Sequence, residues 1–163
     1  MITTIDELLD TFRNYATASA GVDFIFMSPN ADRPVYPYGV IQITQLQQMG
    51  TAGKIQTQIV ADDFVQRNDA LFRGVVDFDI KSINADQAIL DLINGTNLTT
   101  YDELNNNGIG YIAWQSVIDL TGVEVEKTIK RFRVSLLFDV VITAEQVTPF
   151  IKSVQVNNLY IGG

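Results

Sequence analysis

Residues 127–142 carry the pattern that most narrows the possible folds. Phe132, Val134, Leu136, Phe138, Val140 and Ile142 alternate with Arg131, Arg133, Ser135 and Asp139. Side chains two apart share a face in a β-strand and not in a helix, so this segment is predicted to be a long strand. Only one of its faces is fully apolar, as in a sheet covered by helices on one side. Residues 69–83 contain a second such strand, with Val76, Phe78 and Ile80 alternating against Val75, Asp77, Asp79 and Lys81.

The remaining elements follow from the same periodicities. Thr4 followed by Glu7 makes a capping box, and Ile5, Leu8, Leu9, Phe12, Tyr15 and Ala16 then recur on one helical face until Ser19-Ala20-Gly21. Residues 22–27 read as a short buried strand. Pro34 and Pro37 mark a loop or sheet edge, because proline cannot donate to a ladder. Residues 39–49 form a strand whose apolar members are Val40, Ile41, Ile43 and Leu46, with Gln42, Gln45, Gln47 and Gln48 keeping one side wet. Residues 50–66 show no core pattern and read as a long irregular loop. Asn84, with Gln87 three residues on, opens a helix striped with Ala85, Ala88, Ile89, Leu92 and Ile93, and Gly95 stops it. Thr100 and Glu103 suggest a second capping box before a short helix ended by Asn107-Gly108. Residues 111–118 are a strand with Trp114 and Ile118 on one face.

The predicted order is α-β-β-β-α-α-β-β, with residues 150–156 a candidate final strand. This is an α+β fold: a mostly antiparallel, mixed sheet of about five strands, with two to three helices packed on one face. Residues 1–143 are expected to form the single domain and residues 144–163 a C-terminal extension.

Composition bounds the chemistry. The 163 residues include no cysteine and no histidine. The first removes disulfides and thiolate metal sites; with the lack of a signal-peptide pattern, it suggests synthesis in a cytoplasm. The second removes the commonest general base and metal ligand, and the base of most nucleophilic triads. The formal charge is −8, which disfavours nonspecific nucleic-acid binding. No cofactor and no membrane span are expected.

Three segments invite a sharper reading. Asp77, Asp79 and Lys81 resemble the carboxylates and lysine of a metal-dependent nuclease, but no Pro-Asp pair supplies the further acidic ligand. The simpler reading makes them the solvated face of a half-buried strand. Lys127, Lys130, Arg131 and Arg133 form a basic cluster suited to an intersubunit contact, with Glu124 and Glu126 nearby to offset it. Gly50, Gly53 and Lys54 lack the spacing of a phosphate loop.

Taken in order, these features resemble the phage neck or tail terminator proteins. The landmarks are the helix over residues 4–18, Arg33-Pro34, Pro37-Tyr38-Gly39 leading into a strand, and Arg73-Gly74-Val75-Val76-Asp77-Phe78-Asp79-Ile80 passing straight into the helix over residues 84–94. Ile118-Asp119-Leu120 and Lys130-Arg131-Phe132-Arg133 then introduce the long strand. The resemblance implies a non-enzymatic virion protein, a ring of six subunits capping the head-proximal end of a tail tube. Its partners would be the tube protein, the head-side connector and, in contractile tails, the sheath, with DNA passing through the lumen unbound. Gly50, Gly53, Lys54, Asp62, Asp63, Lys127, Arg131 and Arg133 are the expected interface residues. Asp62 and Asp63 would belong to a loop at the lumen or an axial face. A different tail component and the nuclease are the alternatives.

Overall fold

The computed structural model describes residues 2–27, 34–50, 54–60, 63–96, 101–123 and 128–149. Along the chain these form α1 (Ile5–Ala20), β1 (Phe24–Phe26), β2 (Tyr38–Gln48), β3 (Lys54–Val60), β4 (Asp63–Ser82), α2 (Ala85–Gly95), α3 (Tyr101–Asn106), β5 (Ile109–Trp114), β6 (Ile118–Asp119), a 3-10 turn (Thr121–Val123) and β7 (Lys130–Pro149). The fold is α+β, as the alternation predicts.

The sheet is built on one ladder. All 20 residues of β4 pair antiparallel with the 20 of β7, from Asp63↔Pro149 to Ser82↔Lys130. The strand order is β1-β2-β4-β7-β5, with β3 also on β4 and β6 also on β7. The β1–β2 pair is parallel and the other strand pairs are antiparallel. Ile2 adds a parallel bridge to Ile142, and its carbonyl accepts from the Thr143 N–H at 3.0 Å.

Helix α1 starts where its sequence says it should. The Glu7 N–H donates to Thr4 Oγ1 at 3.1 Å, and the Glu7 carboxylate accepts from the Thr3 and Thr4 N–H groups at 2.7 and 3.3 Å. Those donors, the Thr3 backbone N–H foremost, hold the Glu7 carboxyl below its ordinary pKa. Leu8, Phe12, Tyr15 and Ala16 face the sheet and are fully buried. Phe12 meets Phe138 edge-on at 4.8 Å and Phe78 at 6.2 Å, geometry that adds to burial because a ring's positive edge meets a negative face. The Tyr15 hydroxyl, inside this core, donates to the Leu92 carbonyl at 2.7 Å and ties α1 to α2; burial pushes its pKa up.

Several boundaries differ from the sequence reading. Residues 50–66 are not a long irregular loop: β3 takes up 54–60 and β4 begins at Asp63 rather than near residue 69. Residues 54–60 and 63–66 are paired strand, so the missing core pattern does not mark them as irregular. Asn84 precedes α2 without a side-chain cap, and Gln87 instead donates to Asp91 at 2.8 Å. Gly95 is the last residue of α2 rather than the stop beyond it. The strand expected over residues 111–118 is two pieces. Trp114 sits on the helix-covered side against Phe78, at 5.8 Å, whereas Ile118 pairs with Arg133 and is half exposed. A register shift between Tyr111 and Ala113, followed by a break after Trp114, separates the two faces. Strand β7 runs past residue 143 to Pro149. The Thr100 cap, Arg33 and the candidate strand at 150–156 lie outside the described residues.

Candidate functional site

Two regions stand out, both built on the β4–β7 ladder. The first is the face turned away from the helices. Because Val76, Phe78 and Ile80 point into the core, Asp77, Asp79 and Lys81 must point the other way. The expectation that this face is simply solvated is wrong for its centre: Asp79 is only 6% exposed and Lys81 8%. The cover comes from across the ladder. Arg131 donates to Asp79 through Nε at 3.0 Å and Nη2 at 2.8 Å, and Arg133 Nη2 adds a third contact at 3.2 Å. Lys81 lies over the Tyr38 ring at 5.8 Å.

The same face continues as a series of polar links down the ladder. Ser135 donates to Asp77 at 2.6 Å. Arg73 grips Asp139 through two bonds at 2.8 and 2.9 Å, and this hydrogen-bonded pairing lowers the Asp139 pKa. Thr143 donates to Asp69 at 2.6 Å, and Arg67 Nε reaches the same carboxylate at 2.9 Å. The sequence reading missed these pairs. Their signal is complementary charge at alternate positions on two strands, which becomes legible only once the register is known.

Asp79 is therefore a poor metal ligand, since both its oxygens already serve two guanidinium groups. Among the described residues, no group of three or more histidine, cysteine, aspartate or glutamate side chains converges. Of the expected basic cluster, Arg131 and Arg133 are drawn onto Asp79, and Lys130 bonds Asp86 at 2.7 Å. Lys127, Glu124 and Glu126 lie outside the described residues, as do Gly53 and Asp62.

The second region is an arm. Among the described side chains, the core takes nothing from residues 65–71 of β4 or 143–147 of β7, and Thr57 of β3 is exposed. Here β3, β4 and β7 continue as three antiparallel strands, with Gln66, Asn68, Glu145, Gln146 and Val147 exposed. Strands β2 and β3 lie end to end along one side of β4, and Gly50 at the joint has φ 83°, a left-handed conformation suited to glycine. Lys54 and Asp63 are the first residues of β3 and β4. A separate open groove of about 440 Å³ runs between α1 and the β1–β2 edge, lined by Ile5, Leu9, Phe26, Met27, Ile41 and Ile43.

This geometry offers edges, an arm and internal ion pairs rather than a reaction centre. Compared with models of protein families, residues 6–163 match the phage neck terminator protein. The chain belongs to that family. The match runs through every element described above and extends to the C-terminus. As a neck terminator the protein is a structural component of the virion, located in the tail and neck region. A comparison with curated proteins gives no match. No helix among the described residues is long and apolar enough to cross a membrane.

Proposed function

We propose that this neck terminator closes into a ring of six copies on the head-proximal end of the tail tube, ends tube polymerisation and joins the tube to the head-side connector. In a contractile tail it also anchors the sheath. Assembly takes place in the host cytoplasm. The observation that carries this reading is the family match over residues 6–163.

The shape of the fold supports it. Gly50, Lys54 and Asp63 belong to the arm and its approach, and Arg131 and Arg133 to the far end of the β4–β7 ladder; Gly53, Asp62 and Lys127 lie outside the described residues. At roughly 3.4 Å per residue, these proposed contact groups stand far apart. A ring gripping one partner on each axial face needs such a separation. The end of the arm where Asp63 begins β4, next in sequence to Asp62, is the proposed lumen or axial element. A nuclease has no observation in its favour, because Asp79 is engaged by arginines.

Negative-stain imaging of the purified protein, alone and with tail tubes, tests the ring. Discrete six-fold rings, a single one at one end of each tube, are expected. Long stacks or single copies at that position would refute it. Particles assembled without the protein should have tubes of abnormal length or tails that fail to join heads.

A further inference from the structure

We propose that the ring closes through the arm, with the outer edge of β3 in one copy pairing with the outer edge of β7, beyond Thr143, in the next. This rests on the ring reading above and names the surface that would close it.

Strand β3 pairs with β4 on one side only, and β7 beyond Thr143 pairs with β4 on one side only. Among the described residues nothing covers either outer edge. Each edge therefore presents a row of N–H and C=O groups with no strand partner among the described residues. Such edges are adhesive, and proteins that must stay monomeric blunt them with charge, proline or a bulge. Here the seven residues of β3 contain one charge, Lys54, and no proline. Residues 144–149 contain one charge, Glu145, and no proline before the terminal Pro149. Both edges are nearly uncharged, and β3, with Ile55, Thr57, Ile59 and Val60, is rich in residues that favour strands.

The two edges are also matched. They lie on opposite sides of one three-stranded arm and are of nearly equal length. Both β3 and β7 run antiparallel to β4, so they run parallel to each other. Rotation about a ring axis preserves that direction, so β3 of one copy would meet β7 of the next as a parallel pair. This contact is heterologous, and it closes when the rotation allows. Register supports the match: Thr57 and Gln146 both stand opposite Gln66 on β4 and so lie level on the two sides of the arm. The lone charges are opposite in sign and two positions apart, because Lys54 is level with Thr143 through Asp69. Long side chains on neighbouring strands reach across such a diagonal.

The chain has no cysteine, so introduced thiols are unique. Thr57 and Gln146 are both exposed, and their substitution should leave the fold intact. The test treats Thr57→Cys, Gln146→Cys and the double variant with a short bis-maleimide, in purified rings and in assembled tails. The double variant is expected to give a covalent ladder ending at the full ring. An equal mixture of the two single variants should give dimers, and each single variant alone should stay monomeric. Cross-linking of Thr57→Cys to itself would mean two-fold pairing of β3 edges and overturn the proposal. Because Thr57 and Gln146 of one copy lie two strands apart and can be bridged within it, the mixture decides: rings whose mixed single variants give no dimers would overturn the proposal, leaving the ring reading intact. Absence of rings would remove both. Hydrogen exchange on the unmodified chain gives a second readout free of substitutions. Amides in residues 54–60 and 144–148 should slow about tenfold or more on assembly, and unchanged exchange in intact rings would overturn the proposal.

Discussion

Asp79 changes meaning between sequence and structure. As a solvated strand residue it would tolerate asparagine; as the shared partner of Arg131 and Arg133 it should not. Removing the charge leaves two guanidinium groups facing a neutral amide on a largely covered surface. We expect Asp79→Asn to cost about 3 kcal/mol, read as a lower denaturant midpoint at unchanged slope, with no Mg²⁺-dependent DNA cleavage before or after the change. Gly74 makes a different demand. A Cβ there would lie 2.6 Å from the Phe138 ring and 2.7 Å from the Gln45 carbonyl oxygen. The register shift between Ile43 and Gln45 brings that carbonyl close, and backbone cannot yield as a side-chain tip can. Gly74→Ala should therefore lose about 1–3 kcal/mol, the usual cost of overpacking, measured by thermal or chemical unfolding. Acid stability follows from Asp139 and Asp86, whose pKa values fall below the ordinary 3.8 because Arg73 and Lys130 hydrogen-bond to the charged forms. A group depressed in the folded state stabilises fully above its unfolded pKa, and that contribution is lost as pH falls through the folded value. The melting temperature should be flat from pH 7 to about 5 and drop below about 4, and Asp139→Asn should remove part of the drop.

At the scale of elements, α1 and the arm differ in how openly the sequence announces them. Helix α1 is legible because its cap and apolar stripe are local: Thr4, Glu7, Leu8 and Phe12 suffice. The core halves of β4 and β7 are legible for a similar reason, since one face of each is apolar and meets the helices. Strand β3 is hidden because alternation is a record of burial, and Lys54-Ile55-Gln56-Thr57-Gln58-Ile59-Val60 offers only Ile55 and Ile59 as an apolar pair on one face. The covered state of Asp79 is hidden too. Alternation assigns it to a face, but the cations that cover that face come from residues 131 and 133, more than 50 positions away. The arm's independence from the core gives a prediction. Replacing residues 51–69 by a two-residue turn joins Gly50 to Ala70 near Met49, whose N–H already donates to the Leu71 carbonyl at 2.8 Å. Circular dichroism and a cooperative thermal transition should persist, while rings disappear from electron micrographs. Loss of the thermal transition would contradict the division into body and arm.

For the whole molecule, charge sets the relation to DNA. Six copies carry 6 × (−8) = −48 formal charges, and a wall of that sign repels phosphates within about 8 Å at physiological salt. Purified rings should retain no duplex DNA in a filter-binding assay under those conditions, and saturable retention would argue against a passive conduit. The long ladder has a further consequence, for the time the chain takes to fold. Its nearest pair, Ser82↔Lys130, is 130 − 82 = 48 residues apart in sequence, and its farthest, Asp63↔Pro149, is 149 − 63 = 86 apart. Contacts between such distant residues make folding slow, because loop closure must precede the gain from each pairing. The ladder should zip from the Ser82 end outward, since every further rung lengthens the loop by two. The β7 side of the arm is then the last part to form, since β3 and β4 meet locally from Val60↔Asp63 outward, and residues 144–149 spend longest without partners. Hot, rapid overexpression should therefore send this chain into aggregates, and slow synthesis at low temperature should recover it.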